Sequence, residues 1–411
     1  MLLVLPLLDE LAGGLAVASS PTLSRETGSG LVSYSAALLT LPMLASFLEA
    51  PILAWTDRAK TKRHLVVCAG LAGMALSLAV LSFARDVYGL GVAMFLYGPA
   101  SGLALGTAES MLVDGAPANL AARRLARWEV FGALGDVLAP AAIACAQWTA
   151  VDWRTTFRLA AACLFGIALA SLAHPHPRAA AAAEREEEED EPHEVTRAAA
   201  AEEGESREAP PAAAESVLVS LREALVHRPL AAWLFGAALC TLLDEMLAVL
   251  VALWVTERFA VAVAAPALVA FSLGCVAGGL LLERALLRTS TRTAVVVSSI
   301  GCVIAMGGWL AAASAAAVIA WGFVVGVCAG PLHPLAKAEA FATMPARPGL
   351  VNGAAQAFVA IDVLAPVVLA AIASRWGARV AIASLALQPV GLLAIALATR
   401  RNAGPRGPRV S

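Results

Sequence analysis

Acidic residues recur at matching positions in two halves of the chain, each time inside apolar sequence. Asp9-Glu10 returns as Asp244-Glu245, and the Asp-Val-Leu-Ala-Pro motif that begins at Asp136 returns at Asp362. Three more motifs repeat in the same order: Leu48-Glu49 with Leu282-Glu283, Gly98-Pro99 with Gly330-Pro331, and Ala108-Glu109 with Ala338-Glu339. A carboxylate at the centre of a membrane helix costs roughly 2.5–3.5 kcal/mol, so it usually faces a partner or a water-filled cavity. Residues of this kind could exchange protons or bind cations.

The elements that must position these acids are long apolar segments. The chain has 411 residues, of which 60% are hydrophobic and only 15% are charged, a composition far outside that of soluble domains. About 20 residues suffice to cross the hydrocarbon core as a helix. The sequence therefore predicts an all-α integral membrane protein with twelve transmembrane helices, called spans 1 to 12 here: 2–23, 31–55, 64–84, 88–112, 128–149, 155–173, 229–255, 262–286, 294–312, 317–342, 350–373 and 379–398.

The basic residues predict the orientation of these spans. If both termini are on one side, 21 of the 29 Lys and Arg residues lie on that side, which we call the basic face. Basic residues are retained on the cytoplasmic side of short loops. We therefore expect a multi-pass protein of the cell's inner membrane, with both termini cytoplasmic. Span 1 has fewer apolar residues before its acid pair than span 7, so we expect either a short first helix or a start upstream of Met1.

The composition divides the chain into four parts. Two six-helix bundles are expected at 1–173 and 229–399, with a short tail at 400–411. Between the bundles, 174–228 is an acidic, Ala- and Pro-rich segment of the kind that cannot bury enough apolar surface to fold alone. From Ser216 onward its apolar residues recur at helical spacing, so this part is expected to form a short amphipathic helix on the membrane surface.

Twelve spans, a parallel repeat of six and a long central linker resemble the major facilitator superfamily, over essentially the whole chain. The most specific match is the loop after span 2, where Asp57 and Arg58, followed by more basic residues, resemble the family's G-x-L-a-D-r-x-G-r-k-r motif without its glycines. The resemblance implies that Asp57 and Arg58 help to close the cytoplasmic side by pairing with helix ends. After span 8, Arg292 matches Arg58, whereas Thr291 replaces the acid.

Span 5 carries a second and weaker resemblance to this family. Its small residues at Gly132, Gly135 and Ala139, before Pro140, are similar to the Gly-rich stretch on the fifth helix of the family's antiporters. Small residues also let helices pack closely, so packing alone is an alternative explanation. The Arg-x-x-x-Gly pattern of many drug antiporters is absent from span 4, which argues against a drug exporter.

Ten acidic residues stand out within the spans, together with Lys337 and His333. Four of the acids lie toward the basic face, close to arginines in the loops, and are interpreted as gate ion pairs that brace the two bundles: Glu49, Glu109, Glu283 and Glu339. Pairs that break when a gate opens would provide a bistable element. Lys337 is expected to neutralise Glu339 or Glu109. His333 is either a proton carrier or a hydrogen-bonded packing residue.

The other six acids lie near mid-membrane, where substrate and ion sites of such transporters gather. They are Asp9, Glu10, Asp136, Asp244, Glu245 and Asp362. Adjacent helical residues point about 100° apart, so one member of each acid pair should face the cavity and the other a neighbouring helix. Asp136 and Asp362 are the preferred proton carriers, because a proline one turn later frees a backbone carbonyl.

These patterns predict a proton-coupled secondary transporter that exports small cationic or amphipathic compounds by alternating access. Its expected partners are that substrate, protons and the lipid bilayer, with no nucleic acid, metal site or cofactor. No P-loop, Gly-x-Ser-x-Gly or His-Glu-x-x-His motif indicates an enzyme. One alternative on the same fold is an importer or a divalent-cation carrier that uses the carboxylates as ligands. Another is a membrane sensor that does not transport.

Overall fold

The structure is a computed structural model that describes residues 2–19, 26, 40–149, 151–173, 217–243, 247–259 and 261–400. Within these ranges every regular element is a helix, and eight helices are long and apolar enough to cross a membrane. Each of the twelve predicted spans coincides with at least one of the described helices. The linker residues 174–216, the tail 401–411 and the acid pair Asp244-Glu245 lie outside the described residues.

In the N-terminal half, span 2 is interrupted and the other five spans each contain one α-helix. Span 5 begins ten residues earlier than the sequence predicts, because Arg123, Arg124 and Arg127 favour a helix that extends beyond the apolar region. The helices are Leu5–Ala18 after the 3₁₀ turn Leu2–Val4 in span 1; Leu41–Ala45, the 3₁₀ turn Ser46–Leu48 and Ala50–Thr56 in span 2; Arg63–Phe83, Val87–Val113, Ala118–Trp148 and Trp153–Ala173 in spans 3 to 6.

In the C-terminal half, spans 10, 11 and 12 are each divided into shorter helices, and span 7 is described on either side of residues 244–246. The amphipathic helix Val217–Val226 comes first, as the sequence predicts. The others are Arg228–Thr241 and Leu247–Arg258 in span 7; Val261–Ala285 and Thr291–Ala311 in spans 8 and 9; Ala315–Ala329 and Leu332–Thr343 in span 10; Pro348–Ala355, the 3₁₀ turn Gln356–Phe358 and Val359–Trp376 in span 11; Ala378–Ser384 and Leu387–Arg400 in span 12.

Local side-chain chemistry determines several helix ends. Asp86 starts span 4 by accepting a 2.8 Å hydrogen bond from the Gly89 N–H, and Ser314 caps span 10 in the same way. Such caps satisfy backbone donors that have no partner within the helix. Gly377, with a φ of +88°, separates span 11 from span 12 in a backbone conformation that few residues other than glycine adopt.

The repeated Gly-Pro motif has different effects in the two halves. Pro99 lies inside the continuous helix of span 4, whereas Gly330-Pro331 ends one helix of span 10 and precedes the next. A proline inside a helix removes one backbone hydrogen bond, whereas a proline at the start of a helix removes none, so the same motif can interrupt one span and not the other. The break places His333 and Lys337 on the short helix Leu332–Thr343, which faces the other half of the chain.

Close contacts join the two halves near the basic face. Spans 2 and 11 approach so closely there that a Cβ on Gly349 would lie 2.6 Å from Thr56 Oγ1. Spans 5 and 8 pack through Gly279, whose added Cβ would lie 4.0 Å from the Val130 Cβ. The buried apolar cluster of the C-terminal half extends across this boundary to include Leu125 of span 5. The halves are therefore packed together at the basic face.

Candidate functional site

A cavity of about 70 Å³ lies between the two halves and is lined by spans 1, 5, 7, 8, 10 and 12. Space for one water requires roughly 10–15 Å³ measured in this way, so the cavity could hold several waters. Its polar lining residues are Glu10, Glu129, Asp136, His333 and Gln388. Three carboxylates and one imidazole thus line a small space between the two halves.

The two acids of span 1 point in different directions. Glu10 is exposed and lines the cavity. Asp9 instead faces span 4, where the Tyr97 hydroxyl donates a hydrogen bond to its Oδ1 at 2.8 Å and Ser101 is a further partner. This is the division expected from the 100° rotation between adjacent helical residues. The corresponding acid pair of span 7, Asp244 and Glu245, lies outside the described residues.

Asp136 and Asp362, which repeat in sequence, occupy different surroundings. Asp136 is exposed and lines the cavity beside Glu10. Asp362 is partly buried and does not line the cavity; its helix, Val359–Trp376, contacts Leu41–Ala45 of span 2. The structure therefore brings Asp136, but not Asp362, together with the other cavity acids.

The small residues of span 5 allow close packing against span 1. A Cβ on Gly135 would lie 2.7 Å from both the Leu7 carbonyl oxygen and the Glu10 Cβ. A Cβ on Gly14 would lie 2.6 Å from the Ala139 Cβ. This contact brings the backbones that carry Glu10 and Asp136 together, so the packing explanation accounts for the motif.

His333 of span 10 contacts Glu129 of span 5 across the two halves, with 2.7 Å between Nδ1 and Oε1. Each side chain keeps about a third of its surface exposed. Glu129 is a site residue that the sequence patterns do not single out. It lies at the predicted start of span 5 beside Arg127, and the acid repeat offers no counterpart, since the residue 226 positions later is Ala355.

Lys337 of span 10 contacts Glu109 of span 4, also across the two halves. Its ammonium group donates to both carboxylate oxygens, at 2.9 Å and 2.6 Å. The Glu109 side chain is only 3% exposed and the Lys337 side chain 22%. Of the two partners suggested for Lys337 from the sequence, the structure thus selects Glu109. His333 is near enough to interact electrostatically with both members of this pair.

For Glu339 and Glu49, the structure differs from the predicted ion pairs between the two bundles. Glu339 pairs with Arg292 at 3.0 Å, but both residues belong to the C-terminal half, so this pair does not join the bundles. Glu49 forms no ion pair within the described residues and is 1% exposed. It lies too far along span 2 to meet Arg58, because a complete helix, Ala50–Thr56, separates it from the loop. By contrast, Glu283 pairs with Arg127 and Arg123 of the other half.

The loop after span 2 joins the halves through Asp57. Its carboxylate accepts hydrogen bonds from the N–H groups of Gly349 and Leu350, at 2.8 Å and 2.7 Å, at the start of span 11. Arg63, rather than the adjacent Arg58, pairs with it at 2.7 Å. Burial raises the pKa of Asp57, although these partners act to lower it. Arg58 donates to the Ser220 hydroxyl of the amphipathic helix at 3.3 Å.

Together these contacts join the two halves at the basic face. Asp57, Glu109, Glu129 and Glu283 each contact a group of the C-terminal half. All four contacts would have to break for the halves to separate there. With these contacts in place the halves block access to the central cavity from the basic face, and separating the halves there would open that access.

Comparison with known proteins identifies the chain's relatives. The family model described as Major Facilitator Superfamily matches residues 3–361. Among solved structures, the Escherichia coli fucose:proton symporter FucP (N162A) has a TM-score of 0.70 and 14% identity, with 96% of this chain and 97% of that chain covered. The proton:xylose symporter XylE has a TM-score of 0.67 and 10% identity, with 97% of this chain and 94% of that chain covered.

A third similar structure is the human organic anion transporter MFSD10, with a TM-score of 0.61, 16% identity and coverage of 96% of this chain and 97% of that chain. At such identities the likeness shows the fold alone. A comparison with curated protein sequences finds no match.

Proposed function

The chain belongs to the major facilitator superfamily, and we propose that it is a proton-coupled transporter that exports small cationic or amphipathic compounds by exchange. The observation that carries this proposal is the acidic lining of the central cavity. Glu10, Glu129 and Asp136 face it together with His333, the one basic group among its described lining residues. A small cavity lined by carboxylates favours cations, including protons, over anions.

Competition for the same carboxylates would couple the two fluxes. Glu10 and Asp136 lie on adjacent, tightly packed helices and both line the cavity. A cation bound between them would favour the ionised carboxylates, and protons would favour its release. When protons enter down their gradient, such competition moves the cation outward. Asp136 and Glu10 are thus the proposed exchange site. Asp362, whose helix contacts span 2, is proposed as a proton carrier outside the cavity.

We further propose that the basic face is cytoplasmic in the cell's inner membrane, and that the halves 1–173 and 229–399 move as two bundles. The basic excess supports the orientation. The contacts of Asp57 and Glu283 with the other half support a rocking motion that opens and closes that face. The residues proposed as its gate contacts are Asp57, Arg58, Glu109, Glu283 and Lys337, whereas Arg292 and Glu339 are proposed to brace the C-terminal bundle.

Purified protein in proteoliposomes with a preset pH gradient would test this function. Lipophilic cations, polyamines, divalent metals, sugars and organic anions would be added in turn, and proton release followed with a pH-sensitive dye. We expect one cationic class to collapse the gradient in the wild type. Asp136→Asn and Glu10→Gln should each reduce this release at least tenfold, because each removes a group that binds proton and cation in turn.

The matched control is Asp152→Asn, which neutralises an exposed acid between spans 5 and 6 and should leave proton release unchanged. If only sugars or organic anions release protons, the proposed substrate class is wrong. If only divalent metals respond, the carboxylates act as metal ligands. Proton release that survives both cavity substitutions would refute the exchange site.

A further inference from the structure

Glu49 is a buried acid that the proposed exchange does not use. It lies at the break in span 2, between the turn Ser46–Leu48 and the helix Ala50–Thr56. The residue is 1% exposed, and its Oε2 is a buried atom with no hydrogen-bond partner in the described part of the chain. The carboxylate packs directly on span 4, where a Cβ on Gly102 would overlap it.

The charged groups around Glu49 are unbalanced. Asp9 of span 1 and Lys337 of span 10 interact with it electrostatically. Lys337 is already bound to both oxygens of Glu109. Among the described residues, the charged neighbours of Glu49 are therefore another acid and a lysine that is already bound elsewhere. A buried carboxylate that is ionised and unpaired is strongly disfavoured, so this arrangement requires a proton, and Glu49 is the member with an unsatisfied oxygen.

We propose that Glu49 is a second proton-carrying site, separate from the central cavity and controlled by the gate at the basic face. With the gate closed, the Glu49 carboxyl group holds a proton. When the halves separate, Lys337 moves away with span 10 and water reaches the side of the N-terminal bundle that Lys337 had covered near Glu49. The Glu49 O–H bond then breaks, leaving a carboxylate and transferring the proton to water at the basic face. This inference rests on the proposed proton coupling.

Glu49 and Gly102 belong to the same half, so the site would move as a unit with the N-terminal bundle. Lys337 belongs to the other half and is the component that leaves. The groups that face Glu49 are thus Asp9 from span 1 and Lys337 from span 10, with Glu109 bound to Lys337. Water that reaches Glu49 on opening favours the ionised carboxylate, and this gain must outweigh the departure of Lys337, whose positive charge also favours that form.

Infrared spectroscopy of the purified protein would test this site without any substrate. Protonated carboxylic acids have a carbonyl-stretch band separate from that of carboxylates. We expect Glu49→Gln to remove the intensity of one such group per chain at neutral pH, while Glu223→Gln, at an exposed glutamate of the amphipathic helix, removes none. An unchanged band in Glu49→Gln would show that Glu49 is ionised and would overturn the proposal.

A second comparison separates a carried proton from a fixed one. The band would be titrated toward alkaline pH in the free protein and in a protein whose spans 5 and 8 are cross-linked at the basic face. We expect the cross-linked protein to keep the band to a pH at least one unit higher. Equal titration of the two would mean that the gate does not control Glu49, and the proposal would fail even if cation-driven proton release were observed.

Glycine variants provide a test if Glu49→Gln does not fold. Gly102→Ala would displace the Glu49 side chain, and we expect it to reduce the band. Gly106→Ala, one turn along the same helix, would meet only the Leu53 side chain at 3.1 Å and should leave the band intact. A band that is the same in both variants would contradict the assigned position of the proton.

Discussion

At the scale of single residues, each of the two basic groups within span 10 forms a contact with an acid of the other half. Neither has a basic counterpart in the N-terminal half, yet His333 meets Glu129 and Lys337 meets Glu109 across the interface. The repeat therefore supplies acids to both halves, whereas the bases that compensate two N-terminal acids come from the C-terminal half. This asymmetry makes the acids sensitive to the distance between the halves.

The Lys337–Glu109 pair should stabilise the closed protein. Lys337→Gln leaves a buried carboxylate unpaired, which typically costs ~3–5 kcal/mol, so we expect a clear fall in the midpoint of thermal unfolding in detergent. The double variant Glu109→Gln/Lys337→Gln should recover most of this loss. The control Lys60→Gln breaks a pair whose lysine is 47% exposed and should cost ~0–1 kcal/mol. A double variant as unstable as Lys337→Gln would argue against the pair.

At the scale of elements, glycines determine which helices approach closely. Span 5 contacts span 1 through Gly135, and it contacts span 8 through Val130, which lies against Gly279. It is thus packed against both halves, and it carries Glu129 and Asp136 on the same helix. Movement of this one element would change the cavity lining and the inter-half contacts together.

Gly135→Ala should weaken the contact between spans 1 and 5. Its new Cβ would lie 2.7 Å from the Leu7 carbonyl oxygen, and overpacking of this kind costs ~1–3 kcal/mol. The matched control is Gly166→Ala in span 6, where nothing lies within 4 Å and better helix propensity should stabilise by ~1 kcal/mol. Thermal unfolding of both variants would check this, and equal midpoints would show that the close approach is not required.

At the scale of the whole molecule, the described contacts between the halves near the basic face must break for the halves to part. The Val130 and Gly279 Cβ positions lie 4.0 Å apart, within the 3.5–4.5 Å that a disulfide spans. Oxidised Val130→Cys/Gly279→Cys should therefore lose transport and regain it on reduction. Proton release in the proteoliposome assay would measure both states, with each single variant as a control. Full activity of the oxidised protein would mean that this face need not open.

The sequence by itself determined the helical class, the repeat and the approximate placement of the apolar segments and basic residues, because apolar length and charge placement are local properties. It also indicated that Asp9 and Glu10 point apart, since helical geometry is local. It did not indicate that Glu49 has no ion-pair partner among the described residues, that Glu339 pairs within its own half, or that Glu129 is a site residue. Those facts depend on which helices meet. Residues more than 200 positions apart, such as Glu109 and Lys337, become partners only when the two halves pack together.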